Sequence, residues 1–165
     1  MSTITDTPSQ DRKSLVRSIF WGGLIIGTLH LLIEDFVVFT LLYKSPFPVN
    51  LQYIASGGLG DAAFAGGPAT ALLGLFIHYL IAFVIAAVFI ISADRIPLLR
   101  RYPIASSLLY GVGAWIVMSF IVIPFSRTPV LPAPTPFQLI EGIIDHALTI
   151  GLPLGIIVRR NARPK

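Results

Sequence analysis

The sequence predicts an all-α, polytopic membrane protein: four transmembrane helices, with a short interfacial or re-entrant segment between the first and the second. Three observations predict it. Of 165 residues, 55% are hydrophobic and only 12% charged, and the mean hydropathy is +0.81, whereas a soluble domain is about 25% charged. Four apolar runs, residues 19–42, 67–91, 104–125 and 137–158, each supply the ~20 residues with which a helix crosses a ~30 Å hydrocarbon core. The basic residues are unevenly placed: ten of them, Arg12, Lys13, Arg17, Arg95, Arg100, Arg101, Arg159, Arg160, Arg163 and Lys165, fall on one side of the runs, against two, Lys44 and Arg127, on the other. Cytoplasmic loops are the Lys/Arg-rich ones. Both termini are therefore expected inside, which requires an even number of spans.

Taken in order, residues 1–18 are polar and read as a cytoplasmic tail that reaches the membrane surface, and 19–158 form one transmembrane domain. Residues 159–165 form a basic cytoplasmic tail. The first run is too long for a secretory signal, carries two acids and ends without an A-x-A site, so an uncleaved helix is expected. Ser45-Pro-Phe-Pro48 ends it. Val49 to Ala55 reads as two helical turns at the outer interface, with Tyr53 at headgroup level. Gly57, Gly58, Gly60, Gly66 and Gly67 around Asp61 and Phe64 fit tight turns or close helix approach, and neither a Walker pattern nor a dinucleotide fingerprint makes them a phosphate loop. Asp94-Arg-Ile-Pro97 with Pro103 separates the second run from the third, and the four prolines between Arg127 and Pro136 form a stiff link to the fourth.

Composition excludes several functions. The chain has no cysteine, which removes disulfides, thiolate catalysis and soft-metal ligation. A pI near 9.8 has a topological cause here, and no nucleic-acid-binding motif accompanies it. The partner the sequence implies is the lipid bilayer, with a homo-oligomer or larger membrane complex compatible with so small a chain.

Ile54-Ala-Ser-Gly-Gly-Leu-Gly60, Ala63-Phe-Ala-Gly-Gly67, Thr70-Ala71, Leu73-Gly74 and His78, then Tyr110-Gly111 and Gly151-Leu-Pro153, together resemble an uncharacterised family of small bacterial four-helix membrane proteins. The resemblance spans roughly residues 20–158. It implies the four-helix fold and a bacterial inner membrane, and no activity. At position 30 the chain departs from the family, carrying His where many members carry Asp.

The chemistry lies in the spans. All three histidines, His30, His78 and His146, sit in apolar runs, each within about two residues, or ~3 Å, of its helix centre. Of eight acids, Glu34, Asp35, Glu141 and Asp145 are also intramembrane. A charge at the bilayer centre costs about 2.5–3.5 kcal/mol, so such residues face a bundle interior and have partners. His30, Glu34 and Asp35 stand at i, i+4 and i+5, and Glu141, Asp145 and His146 repeat those offsets. In an α-helix the first two of each set share a face, while the i+5 member is about 140° round and turns toward a neighbouring helix or another subunit. Gly74-x-x-x-His78 and Gly142-x-x-x-His146 read as a faint repeat of two hairpins about an axis along the membrane normal.

Gly23-x-x-x-Gly27, Gly151-x-x-x-Gly155, Gly111, Gly113 and Ala114 permit close helix contact, within the chain rather than in a dimer seam. Pro153 removes the bond to the Thr149 carbonyl and predicts a kink. Three readings of the polar cluster stay open. One is a scaffold, with neutral His30 donating to Glu34 and the other histidines bonded to acids. Another is a proton or cation pathway, for which carboxylate and imidazole at midplane are suited. The third is a cofactor site, either His/Asp/Glu ligation of Zn, Fe or Mn without a supporting H-x-x-x-H or paired E-x-x-H motif, or axial ligation of a haem by two histidines. No cofactor is required by the sequence. Hydrolysis is weakest, since Ser119 is the one spanning hydroxyl placed to pair with a His and nothing marks it as a nucleophile.

Overall fold

The computed structural model describes residues 12–129 and 134–161. The expectations for the tail before Arg12, for the middle of the 127–136 connector and for Arg163 and Lys165 lie outside the described residues. Four helices are long and apolar enough to cross a membrane, Arg12–Leu42, Gly67–Arg95, Pro103–Phe125 and Pro136–Asn161, and among the described residues there is no strand. The first is already helical at Arg12 and the second runs on to Arg95, past the predicted limits, because long basic side chains lay their stems along apolar surface and keep the charge outside.

Three of the four long helices contain a π-wound stretch, at Leu31–Leu42, Met118–Val122 and His146–Gly151. Two of these have a local cause. Proline at 124 or 153 cannot donate to the carbonyl four residues back and its ring crowds that carbonyl. A widened turn with i→i+5 bonds accommodates both, and the Ile123 amide accordingly donates to the Met118 carbonyl and the Leu152 amide to that of Ala147. The expected kink at Pro153 thus takes the form of a π turn.

Glycines set the helix pairs. A Cβ at Gly23 would collide with the Phe83 ring and one at Gly27 with Tyr79 and Ala82, all on the second helix. Gly151 packs on Ser107 and Leu108, and Gly155 on Ile104, of the third. The small-residue motifs therefore close two hairpins within the chain, first with second and third with fourth, and in lipid such close backbone approach is what drives association. The first and fourth helices join the hairpins. An apolar core seals their junction toward one end, where Ile26, Phe89, Ile90 and Leu154 are at most 2% exposed. Asn161 Nδ2 donates to Ser18 Oγ at 2.9 Å, which places the start of the first helix and the end of the fourth together. At the opposite end the Arg127 amide donates to the Gly57 carbonyl at 3.0 Å.

Between the first two long helices, the two turns expected over 49–55 are instead a 13-residue helix, Phe47–Leu59, with Pro48 in its first turn. Asn50, Leu51, Gln52, Ala55 and Ser56 are buried. The Leu51 carbonyl occupies the space a Cβ at Gly74 would need. Gln52 Nε2 donates to the Gly67 carbonyl at 3.0 Å. The segment is thus docked along the second helix rather than lying free. The glycines after it serve a turn, where Gly60 has φ 62°, and a short helix Ala62–Ala65, while Asp61 is exposed.

Candidate functional site

His30 ends the regular α part of the first helix, His78 lies mid-way along the second, and His146 opens the π turn of the fourth. Their rings converge as the shared depth predicts. The His30 centroid is 5.6 Å from that of His78 and 4.7 Å from that of His146, edge to face in the second case. Asp145, 5% exposed, places Oδ2 3.5 Å from both His30 Nε2 and His146 Nδ1, and the Thr149 hydroxyl, one turn on, donates to the same oxygen at 3.3 Å.

The two outer rings are anchored to the backbone. His78 Nε2 donates to the Gly27 carbonyl at 2.8 Å and His146 Nδ1 to the Gly142 carbonyl at 3.1 Å. A carbonyl only accepts, so the proton sits on the bonded nitrogen in each case and the ring's lone pair is on the other. His30 differs, for neither of its buried ring nitrogens has a hydrogen-bond partner in the protein. The expected donation from His30 to Glu34 does not form.

Asp35 shows why the α-helical count misplaces an i+5 residue. Its side chain is 6% exposed, and it joins His30 and His78 in a group whose ligand atoms all lie within 4.8 Å of one another. Residues five apart align in a π helix, where the hydrogen bond itself spans five, so both Asp35 and His30 reach the interior. Asn50 Nδ2 holds this stretch from outside, donating to the Asp35 carbonyl at 2.9 Å and to Thr40 Oγ1 at 3.2 Å. Glu34 turns instead toward the fourth helix, beside Glu141 and Asp145.

All seven predicted residues thus belong to one region, divided into His30, His78 and Asp35 between the first and second helices, His30, His146 and Asp145 between the first and fourth, and the Glu34–Glu141 pair beside Asp145. Glu34 Oε2, Asp35 Oδ2 and Asp145 Oδ1 join the two His30 nitrogens as buried atoms without a protein partner. A cleft of about 530 Å³ between the first and fourth helices, walled by Leu29, Ile33, Phe137, Ile140, Ile144 and Leu148, reaches the site at Glu141, Asp145 and Thr149. Ser119 takes part in none of these contacts. Four roles were missed. Thr149 was readable at i+4 from Asp145, and the Gly142 carbonyl at i−4 from His146, whereas Asn50 and the Gly27 carbonyl act on a different helix and left no local signal.

These groups offer nitrogen and carboxylate ligands for a cation. His30 does not fit as one of two axial haem ligands, because its ring lies only 5.6 Å from that of His78 and 4.7 Å from that of His146, tilted in the first case and edge to face in the second. Fold and site together define a class, a small all-helical chain with four helices long and apolar enough to cross a membrane and a buried histidine/carboxylate cluster where three of them meet. Beyond that class, the chain matches no protein-family model, no curated protein and no solved structure.

Proposed function

We propose that this chain is an integral protein of a bacterial inner membrane, with both termini cytoplasmic, that binds a cation at its midplane cluster and carries it across. The observation behind this reading is the set of five buried, unpartnered polar atoms on His30, Glu34, Asp35 and Asp145. A buried polar group left unsatisfied costs about 1–3 kcal/mol. A scaffold has every reason to close such atoms on one another. Here His30, Asp35 and Asp145 fall instead in two groups, one with His78 and one with His146, whose ligand atoms lie within 4.8 Å of one another, and a cation bound in either group compensates part of that cost.

Other features agree. Phe125 is 87% exposed and Leu109 74%, which suits a lipid-facing surface and no aqueous one. The ends joined by Ser18 and Asn161 are the Lys/Arg-rich ones, so the positive-inside rule makes that end cytoplasmic, and Phe47–Leu59 then packs at the outer face. The cleft reaches the cluster at Glu141, Asp145 and Thr149, while Ile26, Ile90 and Leu154 are packed in the half toward Ser18 and Asn161, which suits carriage rather than a continuous pore.

The test is flux in proteoliposomes, read with an internal pH dye and a divalent-cation reporter. The expected result is cation movement down an imposed gradient that Asp145→Asn reduces at least tenfold with the protein still folded. No movement of protons or divalent cations under any gradient, with Asp145→Asn changing stability alone, would refute the proposal and return the cluster to scaffold.

A further inference from the structure

We propose that the cation is a first-row divalent transition metal, and that the cluster offers it two overlapping seats sharing the His30 imidazole, one with Asp145 and His146, the other with Asp35 and His78. This rests on the cation reading above and gives it a substrate class.

Geometry carries the assignment. In each triad one ligand atom per residue lies within 4.8 Å of the other two. In the first triad His30 Nε2 and His146 Nδ1 are both 3.5 Å from Asp145 Oδ2. Metal bonds of about 2.0–2.1 Å at a tetrahedral angle set ligand atoms about 3.3 Å apart, so the His30–Asp145 separation needs to close by only a few tenths of an ångström. Both carboxylates are buried, Asp35 at 6% and Asp145 at 5% exposure; the Asp145 oxygen near both imidazoles is Oδ2, which also accepts from Thr149.

The surroundings of the ligands point the same way. Histidines that bind a metal commonly donate their other N–H to a backbone carbonyl, which fixes tautomer and orientation. His78 donates to Gly27 in this way, leaving Nδ1 as its lone pair. Thr149 holds Asp145 as hydroxyls hold ligating carboxylates. His146 enters its seat either through Nε2 or by releasing the Gly142 carbonyl. Two imidazoles and one carboxylate favour Zn, Fe, Mn or Co over Mg and Ca, which take oxygen ligands almost exclusively.

The shared ring decides how many ions are held. A neutral imidazole has one lone pair, so His30 serves one seat at a time and the chain takes one ion. Occupying the two seats alternately moves that ion from the cleft side, between the first and fourth helices, to the second helix. His30 is the group that hands it over: as the ion changes seat, the single N–H of the ring passes from one nitrogen to the other or the ring turns, and neither nitrogen is tied by a hydrogen bond that would prevent this.

The experiment uses the purified full chain in detergent, dialysed against Zn²⁺ and analysed for bound metal, with X-ray absorption of the loaded wild-type protein and chelator competition for affinity. One Zn²⁺ per chain is expected, with two imidazoles in the first shell and no comparable binding of Ca²⁺ or Mg²⁺. His78→Ala and His146→Ala should each keep one Zn²⁺ with affinity lowered about 10–100-fold, and His30→Ala should lose stoichiometric binding. No bound Zn²⁺, two ions per chain, or a shell without imidazole would overturn the inference, and the wild-type spectrum decides this even if a variant fails to fold. Proton flux without Zn²⁺ binding overturns the metal and leaves the cation reading. Zn²⁺ binding without flux of any cation overturns carriage and leaves the seats.

Discussion

Gly111 and Gly113 stand two residues apart on the third long helix, and the structure assigns them opposite responses to the same substitution. A methyl group at position 111 would overlap the His146 carbonyl, with its carbon at 3.1 Å and the Gly151 amide nitrogen at 3.0 Å, whereas at position 113 nothing lies within 4 Å. In both cases Ala gains about 0.5–1 kcal/mol of helix propensity over Gly, so that gain cancels when the two variants are compared. What remains is overpacking at position 111. The atoms met there are backbone, which no rotamer change relieves, so about 1–3 kcal/mol is expected. At 2–4 °C per kcal/mol for a chain of this size, Gly111→Ala should melt about 2–12 °C below Gly113→Ala in the same detergent. Gly113→Ala itself should match or slightly exceed wild type. Equal midpoints, or Gly113→Ala as the weaker variant, would refute the packing of the third helix against the π turn of the fourth. Since the contact is with the carbonyl of His146 itself, Gly111→Ala should also lower cation affinity, and Gly113→Ala should not.

Asn50→Ala removes two donations, to the Asp35 carbonyl and to Thr40, and the bond its Oδ1 accepts from the Ser45 hydroxyl. Hydrogen bonds in membrane proteins average ~0.6 kcal/mol, so unfolding in mixed micelles should show a loss of about 2 kcal/mol together with weaker Zn²⁺ binding, and an unchanged affinity would mean that Asn50 does not position Asp35. Pro153→Ala restores a donor for the Thr149 carbonyl, so the stretch His146–Gly151 should revert toward α winding. Thermal unfolding should report a protein as stable as wild type or more so, with Zn²⁺ affinity reduced at least tenfold, and retention of full affinity would show that the π turn is not what aims His146.

Much of this was legible because membrane chemistry leaves a sequence few choices. Twenty apolar residues have no use but a span or a core, and histidines and carboxylates placed at one depth in three such runs have little option but to meet. Gly23, Gly27, Gly151 and Gly155 could be read as close-contact positions because small residues are what helices in lipid pack with. The direction of Asp35 could not be read, because the angle was counted at 100° per residue through a stretch, Leu31–Leu42, that is π-wound. Pro124 and Pro153 are readable causes for the other two π turns. That twelve-residue stretch contains no proline, and it has no evident local cause. The docking of Phe47–Leu59 was hidden for a different reason: its decisive contact, the Leu51 carbonyl on Gly74, joins residues whose pairing depends on tertiary structure alone.

The placement of the π turns bears on how the cluster works. His30 is the residue immediately before one and His146 the first residue of another, while His78 sits within an unbroken α-helix with its ring tied to Gly27. A π turn is held by poorer hydrogen bonds than the α turn it replaces and recurs at functional sites. A small exchange between i→i+5 and i→i+4 bonding rotates the side chains it carries, at modest cost. The apolar core beneath, with Ile26, Phe89, Ile90 and Leu154 almost fully buried, is close-packed and resists such deformation. The cluster therefore combines one fixed imidazole, His78, with two at the start of adjustable turns, all above a rigid floor. An ion that must be bound and then released needs a ligand that can reorient without unfolding the bundle, and of the three histidines His30 is the one with both an adjustable turn and two uncommitted nitrogens.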